Sequence, residues 1–462
     1  MSKNRTVYVC QQCGDATPKW QGQCPACGAW NTLSQHSAPA VSAKRTPLAG
    51  EASAVSSLLT LSTEEPSRRS TGMEEFDRVL GGGLVDGSVT LIGGDPGIGK
   101  STLLLQSAAA MALQGPVLYA TGEESLTQVS LRARRLGLGQ APLALLAETS
   151  VETVIEAAKA AGSRVLVVDS IQTMATEEST SAPGSVSQLR ESAARLVSYA
   201  KRSATAVLLI GHVTKEGAIA GPRVLEHLVD TVLYFESDLG SRYRMIRAVK
   251  NRFGAANEIG VFMMAEQGLK EVRNPSAIFL SRHEQPVSGS VVLVTREGTR
   301  PLLIEVQALV DESRAQIPRR VAVGFENNRL ALLLAVLNRH GGVALGSHDV
   351  FVNVVGGVSI SETAADLSVL LAAVSSVSSM ALANDLVAFG ELGLSGEIRP
   401  VPFGEERLRE AAKHGFRRAI VPKANAPKKP IPDLTVIGVT QLSQALEAAF
   451  GTQGPSRGPG QS

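Results

Sequence analysis

The sequence has few aromatic residues and little excess charge of either sign. Of its 462 residues, 4% are aromatic, and the formal net charge at pH 7 is +2. So small a net charge excludes a global field that would attract a polyanion, and any nucleic-acid site must therefore be a local patch. The length is sufficient for two large domains or three unequal ones, with a substantial buried core.

Long hydrophobic runs are also absent. The best candidate for a membrane span, residues 367–383, is too short and contains five serines, which indicates a packed amphipathic helix instead. The chain does not open with the charged, apolar and small residues of a secretory leader. These absences predict a cytoplasmic protein without a membrane partner.

Cysteine is missing after residue 27. The four cysteines form two knuckles, Cys10-x-x-Cys13 and Cys24-x-x-Cys27, whose two-residue spacers predict a structural Zn²⁺ bound by four thiolates. Two disulfides are the alternative, which a cytoplasmic setting disfavours. A segment this small has almost no core, so metal binding would supply on the order of 10 kcal/mol of its folding free energy. The spacing does not decide whether this ribbon contacts DNA, contacts a protein or caps the chain.

The most informative motif is a phosphate-binding loop. The run Gly94-Asp95-Pro96-Gly97-Ile98-Gly99-Lys100-Ser101 matches G-x-x-x-x-G-K-[ST], and Thr102 follows it in a predicted helix. The glycines allow backbone N–H groups to surround the phosphates of ATP. Lys100 is predicted to bridge the β- and γ-phosphates, and the Ser101 hydroxyl to bind Mg²⁺. The chain is therefore predicted to bind a nucleoside triphosphate.

Changes in composition divide the chain into five segments. Residues 1–33 contain the zinc motif, and residues 34–57, rich in Ser, Ala and Pro, are predicted to be a flexible linker. Residues 58–275 alternate β-branched runs with helical stretches, which is typical of a parallel α/β sheet. A second mixed α/β region spans residues 276–450, and the Gly/Pro-rich tail 451–462 is predicted to be disordered.

Hydrolysis of ATP needs a carboxylate near Mg²⁺ and a second one that polarises water. Asp169 ends the apolar run 165–168, and open α/β sheets bind their ligands at that edge. Glu123 and Glu124 follow the run 117–120, and one of them, preferably Glu123, is predicted to align the attacking water. The alternatives are a helix cap for Asp169 and first-turn acids on a helix dipole for the two glutamates.

Polar groups after a third strand, residues 206–210, complete the predicted edge. His212 is predicted to sense the γ-phosphate, and an ordinary hydrogen-bonded histidine is the alternative. The loop beyond it contains Lys215 and Arg223, cations that suit the backbone of single-stranded DNA. A solvated surface is nearly as good an interpretation of that loop.

Taken together, these motifs resemble the bacterial RadA (Sms) family of recombination proteins. The most specific element is Lys250-Asn251-Arg252-Phe253-Gly254, which is similar to that family's own pentapeptide. The resemblance covers nearly the whole chain and implies a zinc ribbon, a RecA-like ATPase core and a Lon-protease-like C-terminal α/β domain. It further implies a hexameric ring that hydrolyses ATP, translocates on single-stranded DNA and drives branch migration of branched DNA beside the strand-exchange recombinase.

The pentapeptide contributes two cations whose role has two interpretations. Arg252 or Lys250, presented by a neighbouring subunit, would neutralise charge on the transferred phosphoryl group as an arginine finger does. Hydrolysis would then require assembly. The alternative is a patch that faces DNA or solvent, and the sequence does not separate the two.

The C-terminal region lacks the residues of a working Lon-type protease. Ala364 falls at the position of the nucleophilic serine and Glu405 at that of its lysine, although Ser359, Ser361 and Thr363 leave a rearranged nucleophile open. A methyl group cannot attack a carbonyl, and a carboxylate cannot replace that lysine. The region is predicted to be a ring-forming scaffold. Its basic residues are candidate contacts to duplex phosphates, with a solvated face as the equal alternative: Arg399, Arg407, Arg409, Lys413, Arg417 and Arg418.

The leading prediction is thus a DNA-dependent ATPase motor of recombinational repair. An ATP-driven switch acting on a protein partner is the first alternative, and its hydrolysis would ignore DNA. An ATP-dependent protease is less favoured, because the nucleophile and its base are missing.

Overall fold

A computed structural model describes residues 5–12, 16–38, 67–179, 181–212, 222–236, 242–280, 285–356 and 358–451. The chain divides into two compact units, residues 1–273 and 274–462. The boundary expected from the sequence lies two residues further along the chain. No helix within the described residues combines the length and the apolar character that crossing a bilayer requires.

The N-terminal ribbon is a three-stranded antiparallel sheet in the order β2-β1-β3. Its strands are β1 (Arg5–Cys10), β2 (Ala16–Thr17) and β3 (Leu33–Ala38). The predicted start of the linker at Ser34 is wrong, because residues 34–38 pair with β1 along its whole length. Pairing with a neighbouring strand overrides the weak strand propensity of this polar segment. The rest of the predicted linker, residues 39–57, lies outside the described residues.

The first unit is built on a nine-stranded sheet in the order β14-β13-β12-β11-β6-β10-β9-β7-β8. The strands from β11 to β8 in that order run parallel, and β12, β13 and β14 add an antiparallel extension. The strands of the unit are β4 (Arg68–Arg69), β5 (Leu84–Val85), β6 (Val89–Gly93), β7 (Val117–Thr121), β8 (Ala144–Ala147), β9 (Val165–Asp169), β10 (Ala206–Ile210), β11 (Thr231–Glu236), β12 (Tyr243–Asn251), β13 (Ile259–Ala265) and β14 (Gly268–Glu271).

Helices cover both faces of this sheet, as a parallel sheet requires. They are α1 (Glu74–Leu80), α2 (Lys100–Ala112), α3 (Leu126–Arg135), α4 (Val151–Ala160), α5 (Val186–Ser203) and α6 (Pro222–Glu226), with a 3₁₀ turn at Ile171–Thr173. Ser125, Ser150 and Ser185 cap the N-termini of α3, α4 and α5 through their side-chain oxygens.

Alternation along the strands divides the core of the first unit into two layers. Val165 and Val167 of β9 pack in the same cluster as Leu104 of α2, whereas Leu166 and Val168 pack with the layer that contains α5. Successive side chains on a strand point to opposite faces. Asp169 therefore shares the face of Val167, which is the face covered by the helix that follows the phosphate loop.

The second unit contains a seven-stranded mixed sheet in the order β17-β18-β16-β15-β19-β22-β23 and a small hairpin of β20 and β21. Its strands are β15 (Ser290–Glu297), β16 (Arg300–Glu312), β17 (Arg320–Val323), β18 (His348–Val354), β19 (Leu386–Ala388), β20 (Glu391–Leu392), β21 (Ile398–Arg399), β22 (Arg418–Pro422) and β23 (Thr435–Val439). Its helices are α7 (Ser276–Phe279), α8 (Asn327–Val336) with a π-turn at Leu337–Gly341, α9 (Asp366–Ser378), α10 (Gly404–Lys413) and α11 (Leu442–Phe450), besides 3₁₀ turns at Thr363–Ala365 and Lys423–Asn425.

Helix α9 explains the longest apolar run of the sequence. Residues 366–375 are all buried, so this helix is enclosed on every side rather than amphipathic as predicted. It ends at Ser378, where Ser379 takes a left-handed conformation with φ of 55°. A helix that is apolar all round belongs in a protein core or a membrane, and its length and burial assign this one to the core.

Candidate nucleotide and zinc sites

The phosphate loop lies at the carboxyl end of β6 and leads directly into α2. Gly94, Gly97 and Gly99 have φ values of 148°, 77° and 119°, a region that L side chains rarely adopt. A Cβ built on Gly97 would meet no atom within 4 Å, whereas one on Gly94 would lie 2.8 Å from the Cβ of Phe235. The loop therefore has the curled backbone that phosphate binding needs.

Lys100 is held inside this loop. Its Nζ donates hydrogen bonds of 2.6 Å to the carbonyl oxygen of Gly94 and 2.8 Å to that of Asp95. Burial lowers the pKa of Lys100 to about 8, against the opposing effect of the carboxylates of Asp169, Asp95 and Glu123. The ammonium group is therefore desolvated and available to an anion that enters the loop.

Asp169 lies at the end of β9, with 4% of its surface exposed. The hydroxyl of Tyr119 donates a hydrogen bond of 2.5 Å to its Oδ2. Burial and the neighbouring Asp169 carboxylate raise the pKa of Tyr119 well above its usual value. Asp169 also contributes to the electrostatic environment of Lys100, which places the two predicted site residues in one cluster.

Glu123 joins the same cluster from the loop after β7. Its Oε1 accepts a hydrogen bond from the hydroxyl of Ser170 and lies 3.3 Å from Nε2 of His212. The hydrogen bond from His212 is the main reason that the pKa of Glu123 falls to about 2; Ser170 and Lys100 act in the same direction, and burial opposes them. Glu123 is therefore ionised at neutral pH, the form in which its carboxylate can only accept hydrogen bonds.

Glu124 takes a different environment from its neighbour. Its carboxylate forms an ion pair with Arg132 of α3, with a distance of 2.6 Å between Oε2 and Nη2. The same Nη2 lies 3.9 Å from Oδ2 of Asp169. Arg132 thus pairs with Glu124, whereas Glu123 contacts Ser170 and His212; that Glu123 aligns the attacking water remains a prediction.

The residues present fit a magnesium ion with bound nucleotide. Ser101 is the second residue of α2, partly exposed, and Asp169 is a buried carboxylate whose Oδ2 is held by Tyr119. Hydroxyl and carboxylate oxygens are the ligands that Mg²⁺ prefers, and it usually binds only one or two protein carboxylates together with phosphates. Ser101 and Asp169 are the residues that would hold it.

The ribbon brings three of the four cysteines together. The Sγ atoms of Cys10, Cys24 and Cys27 all lie within 4.8 Å of one another, and those of Cys10 and Cys27 are 3.7 Å apart. This separation is too long for a disulfide of about 2.05 Å. It matches the edge of a tetrahedron of sulfurs at about 2.3 Å from a central Zn²⁺. The predicted fourth ligand, Cys13, lies outside the described residues.

The pentapeptide at the end of β12 is anchored through most of its members. Lys250 donates hydrogen bonds of 2.6 and 2.7 Å to the carbonyl oxygens of Glu226 and Val229. The amide of Asn251 donates to the carbonyl of Val79 and accepts from the N–H of Phe253. A Cβ on Gly254 would lie 2.7 Å from the Cα of Gly81, a contact that no larger residue allows.

Arg252 extends a mostly exposed side chain from the pentapeptide, with 57% of it accessible. Its Nη1 donates a hydrogen bond of 3.1 Å to the buried carboxylate of Asp230. Asp230 also accepts hydrogen bonds from the N–H of Val89, the first residue of β6, and from Lys201. Arg252 therefore lies at the amino end of β6, the end opposite the phosphate loop.

The structure does not describe the side chains of two further predicted DNA contacts. Lys215 lies outside the described residues, and Arg223 lies on α6 without a described side chain. Their predicted contacts to DNA remain predictions.

The second unit places Ala364 and Glu405 in unlike environments. Ala364 is 1% exposed in the turn before α9, whereas Glu405 is an exposed residue of α10 in an ion pair with Arg409. Neither provides a nucleophile or a base. Thr363, beside Ala364, donates its hydroxyl hydrogen bond to Glu391. The loss of protease chemistry remains a prediction.

The prediction that Arg407 contacts duplex DNA is wrong. This side chain is 1% exposed and bonds both oxygens of Glu362, at 2.8 and 2.6 Å. It also donates to the carbonyl oxygens of Val294 and Pro402. Among the other candidates, four form ion pairs with nearby carboxylates on the surface: Arg399, Arg409, Lys413 and Arg418.

The sequence motifs did not identify four residues of the nucleotide site. Ser170 and Tyr119 bond the two predicted carboxylates, Arg132 neutralises Glu124, and Arg244 donates to the carbonyl of Ile98 in the phosphate loop. Each acts across neighbouring strands or helices. Only the lone tyrosine in the aliphatic run 117–120 stands out from its surroundings.

Family models match three parts of the chain. A rubredoxin metal-binding domain matches residues 8–35, an AAA domain matches residues 57–218, and the ChlI subunit of Mg-chelatase matches residues 319–425. Together with the sheet order and the cysteine cluster, these matches confirm the predicted fold class. The chain is a P-loop ATPase with an N-terminal zinc ribbon and a Lon-like C-terminal domain.

Relatives of nearly equal length identify the family. The DNA repair protein RadA of Pseudomonas aeruginosa is 59% identical over 453 residues, which are 97% of this chain and 100% of the relative. The RadA proteins of Escherichia coli and Bacillus subtilis are 56% and 46% identical, over 96% and 98% of this chain and over 98% and 100% of their own lengths. The chain belongs to the RadA family, as the sequence motifs predicted.

Proposed function

We propose that this chain is a DNA-stimulated ATPase of recombinational repair, which translocates on single-stranded DNA and promotes branch migration of recombination intermediates. The relatives named above are DNA repair proteins, and the AAA domain supplies the ATPase. In this proposal the protein works in the cytoplasm as a hexameric ring beside the strand-exchange recombinase.

The observation that carries the proposal is the separation of charges across the sheet of the first unit. Lys100, Glu123 and Asp169 cluster at the carboxyl end of the parallel strands, whereas Arg252 lies at the amino end of β6. The five residues of β6 separate these ends by roughly 15 Å at about 3.3 Å per residue. Arg252 therefore cannot reach the phosphates bound by its own loop.

Two roles fit the guanidinium of Arg252 at the amino end of β6. In the proposal Arg252 serves the nucleotide of the next subunit, so that sites are completed only where subunits meet. Lys250, whose ammonium group is bonded to two carbonyls, then anchors the pentapeptide rather than contacting phosphate or DNA. The second role, a contact of Arg252 with DNA, is an outcome of the test below.

The central test measures ATP turnover with and without a single-stranded oligonucleotide, beside strand displacement on a forked substrate. A motor should hydrolyse ATP faster with the oligonucleotide and displace a strand. A switch that acts on a protein should hydrolyse ATP at one rate whatever DNA is added. Turnover that ignores DNA, together with no binding of the oligonucleotide, would remove the motor from consideration.

The role of Arg252 is tested by Arg252→Ala, with Arg273→Ala as the matched control. Arg273 is an exposed arginine of the same unit that pairs with Glu74 on the surface. A trans role predicts that Arg252→Ala lowers turnover by about a thousandfold while nucleotide binding persists. Mixed rings with wild-type subunits should then recover part of the activity. Normal turnover with weakened DNA binding would assign Arg252 to DNA instead.

A further inference from the structure

The magnesium side of the nucleotide site contains a phenol that the reaction itself does not require. In the parallel pairing of β7 with β9, Tyr119 lies opposite Val167 and Thr121 lies opposite Asp169. Because side chains two residues apart on a strand share a face, Tyr119 lies on the same face of the sheet as Asp169, one step back from the edge. A tyrosine side chain is long enough to cover that step.

The contact between the two side chains is short and dry. The Tyr119 hydroxyl donates its 2.5 Å hydrogen bond to Oδ2 of Asp169, Tyr119 is 0% exposed and Asp169 is 4% exposed. The phenol is the donor in this contact and the carboxylate oxygen is the acceptor. Hydrogen bonds to a charged acceptor in a buried site are stronger than those between neutral groups.

We propose that Tyr119 is a positioning residue of the magnesium site, which fixes the rotation of the Asp169 carboxylate by holding Oδ2 and so presents Oδ1 toward Mg²⁺ and nucleotide. The inference deepens the proposed ATPase and rests on its use of Mg²⁺ at Asp169, but it needs none of the DNA steps. Removing a group that hydrogen-bonds a metal ligand and so orients it typically lowers metal affinity by about ten- to a hundredfold.

Arg132 does not substitute for this phenol. Its Nη2 lies 3.9 Å from Oδ2 of Asp169 but 2.6 Å from Oε2 of Glu124, and Nη1 donates a hydrogen bond of 3.1 Å to Oε1 of Glu124. The guanidinium is thus oriented by Glu124 and supplies charge near Asp169 without setting its rotation. Loss of the Tyr119 hydroxyl would leave Oδ2 without its closest donor.

The test uses Tyr119→Phe in the full-length protein, with Tyr199→Phe as the matched control. Tyr199 is another buried tyrosine of the same unit, 4% exposed, whose hydroxyl lies 3.2 Å from that of Thr205. The binding of a fluorescent ATP analogue is titrated with Mg²⁺ and again with EDTA. Tyr119→Phe should raise the Mg²⁺ concentration for half-maximal binding on the order of tenfold and leave affinity in EDTA unchanged. Tyr199→Phe should match the wild type in both titrations.

A second measurement separates positioning from general damage. In a double-mutant cycle, Asp169→Asn should remove the effect of Tyr119→Phe on the Mg²⁺ requirement, because the hydroxyl acts only through that carboxylate. Equal loss of affinity with and without Mg²⁺, or additive effects in the cycle, would overturn the inference. If the wild type itself bound nucleotide without any Mg²⁺ dependence, the proposed ATPase mechanism would fail instead.

Discussion

The nucleotide site of the first unit and the core of the second unit place charged groups in different ways. At the nucleotide site the closest partners of the charged groups are mostly neutral: Lys100 bonds two carbonyls, Asp169 a phenol, and Glu123 a hydroxyl and an imidazole. In the second unit the guanidinium of Arg407 bonds both oxygens of Glu362. In the first arrangement the nearest guanidinium, that of Arg132, lies 3.9 Å from Asp169, whereas in the second a guanidinium bonds a carboxylate directly.

We infer from this difference that the nucleotide site, unlike the pair of Arg407 and Glu362, keeps charge available to a ligand. A charge whose partners are neutral can accept a phosphate or a metal ion without breaking an ion pair, so its electrostatic effect stays available to a ligand. A charge that is paired and hydrogen-bonded on all sides fixes the local structure instead. Ala364 lies where the sequence comparison with Lon-type proteases predicts the nucleophile. The carboxylate two residues before it, Glu362, forms an ion pair with Arg407.

The largest effect expected from this comparison is at Glu123. Glu123→Gln should lower the rate of ATP hydrolysis by about a hundredfold or more with little change in nucleotide affinity, because it removes the carboxylate that polarises water. Glu124→Gln is the matched control and should change the rate by less than about fivefold, since Glu124 forms a partly exposed ion pair with Arg132. Steady-state turnover and analogue binding measure both. A larger loss in Glu124→Gln would reverse the assignment.

Next in size is the buried ion pair of the second unit. Arg407→Ala should lower the free energy of unfolding of this unit by about 3 kcal/mol, because it leaves the Glu362 carboxylate without its charged partner and with only the neutral donors of the Thr295 hydroxyl and the Arg296 N–H. Denaturant unfolding of the full chain measures the loss. Arg409→Ala removes an exposed arginine from the same helix and should leave stability unchanged. If Arg407→Ala also left stability unchanged, the ion pair of Arg407 and Glu362 would not stabilise this unit.

The lowered pKa of Lys100 predicts that nucleotide affinity depends on pH. Because burial lowers the pKa of Lys100 to about 8 in the free protein, the amine loses its proton above that pH. Bound phosphates favour the charged form, so binding takes up a proton there, and nucleotide affinity should fall by up to about tenfold per pH unit above 8. Below pH 8, where Lys100 is already protonated, its titration should not change the nucleotide affinity. Lys100→Arg, whose side chain stays charged, should bind more weakly but without that slope.

The smallest effect should come from restoring a hydroxyl in the second unit. Ala364→Ser should create no peptidase activity, because Glu405 is an exposed, ion-paired carboxylate and offers no lysine-like base. Burying the hydroxyl should cost about 1 kcal/mol of stability. Release of acid-soluble fragments from labelled casein with ATP is the measurement, and any release above the unmodified protein would show that the protease chemistry is recoverable.

The sequence predicted those parts of the molecule whose signals are local. The aliphatic runs 117–120, 165–168 and 206–210 form strands because each is buried on both faces, and their bounds agree within one residue. The phosphate loop and the carboxylate after β9 follow from motifs confined to a few neighbouring residues. Such features depend little on the rest of the chain, so they could be read without a structure.

Features that depend on distant partners could not be predicted. Strand β3 has a polar sequence and exists only because β1 pairs with it. Arg407 lies among other charged residues, which is typical of a surface helix, yet it is buried by Glu362, 45 positions away. Tyr119 meets Asp169 because of the parallel register between two strands that are far apart in sequence. Register and burial are properties of the assembled sheet, which local composition does not encode.

The two hydrogen bonds of Lys100 to its own loop have a consequence for product release. When ATP enters, its phosphate oxygens replace the carbonyls of Gly94 and Asp95 as acceptors, so binding is an exchange of contacts rather than a simple addition. When ADP leaves, the ammonium group returns to those carbonyls and the loop keeps its shape. The empty pocket would therefore not leave Lys100 as an unsatisfied buried cation.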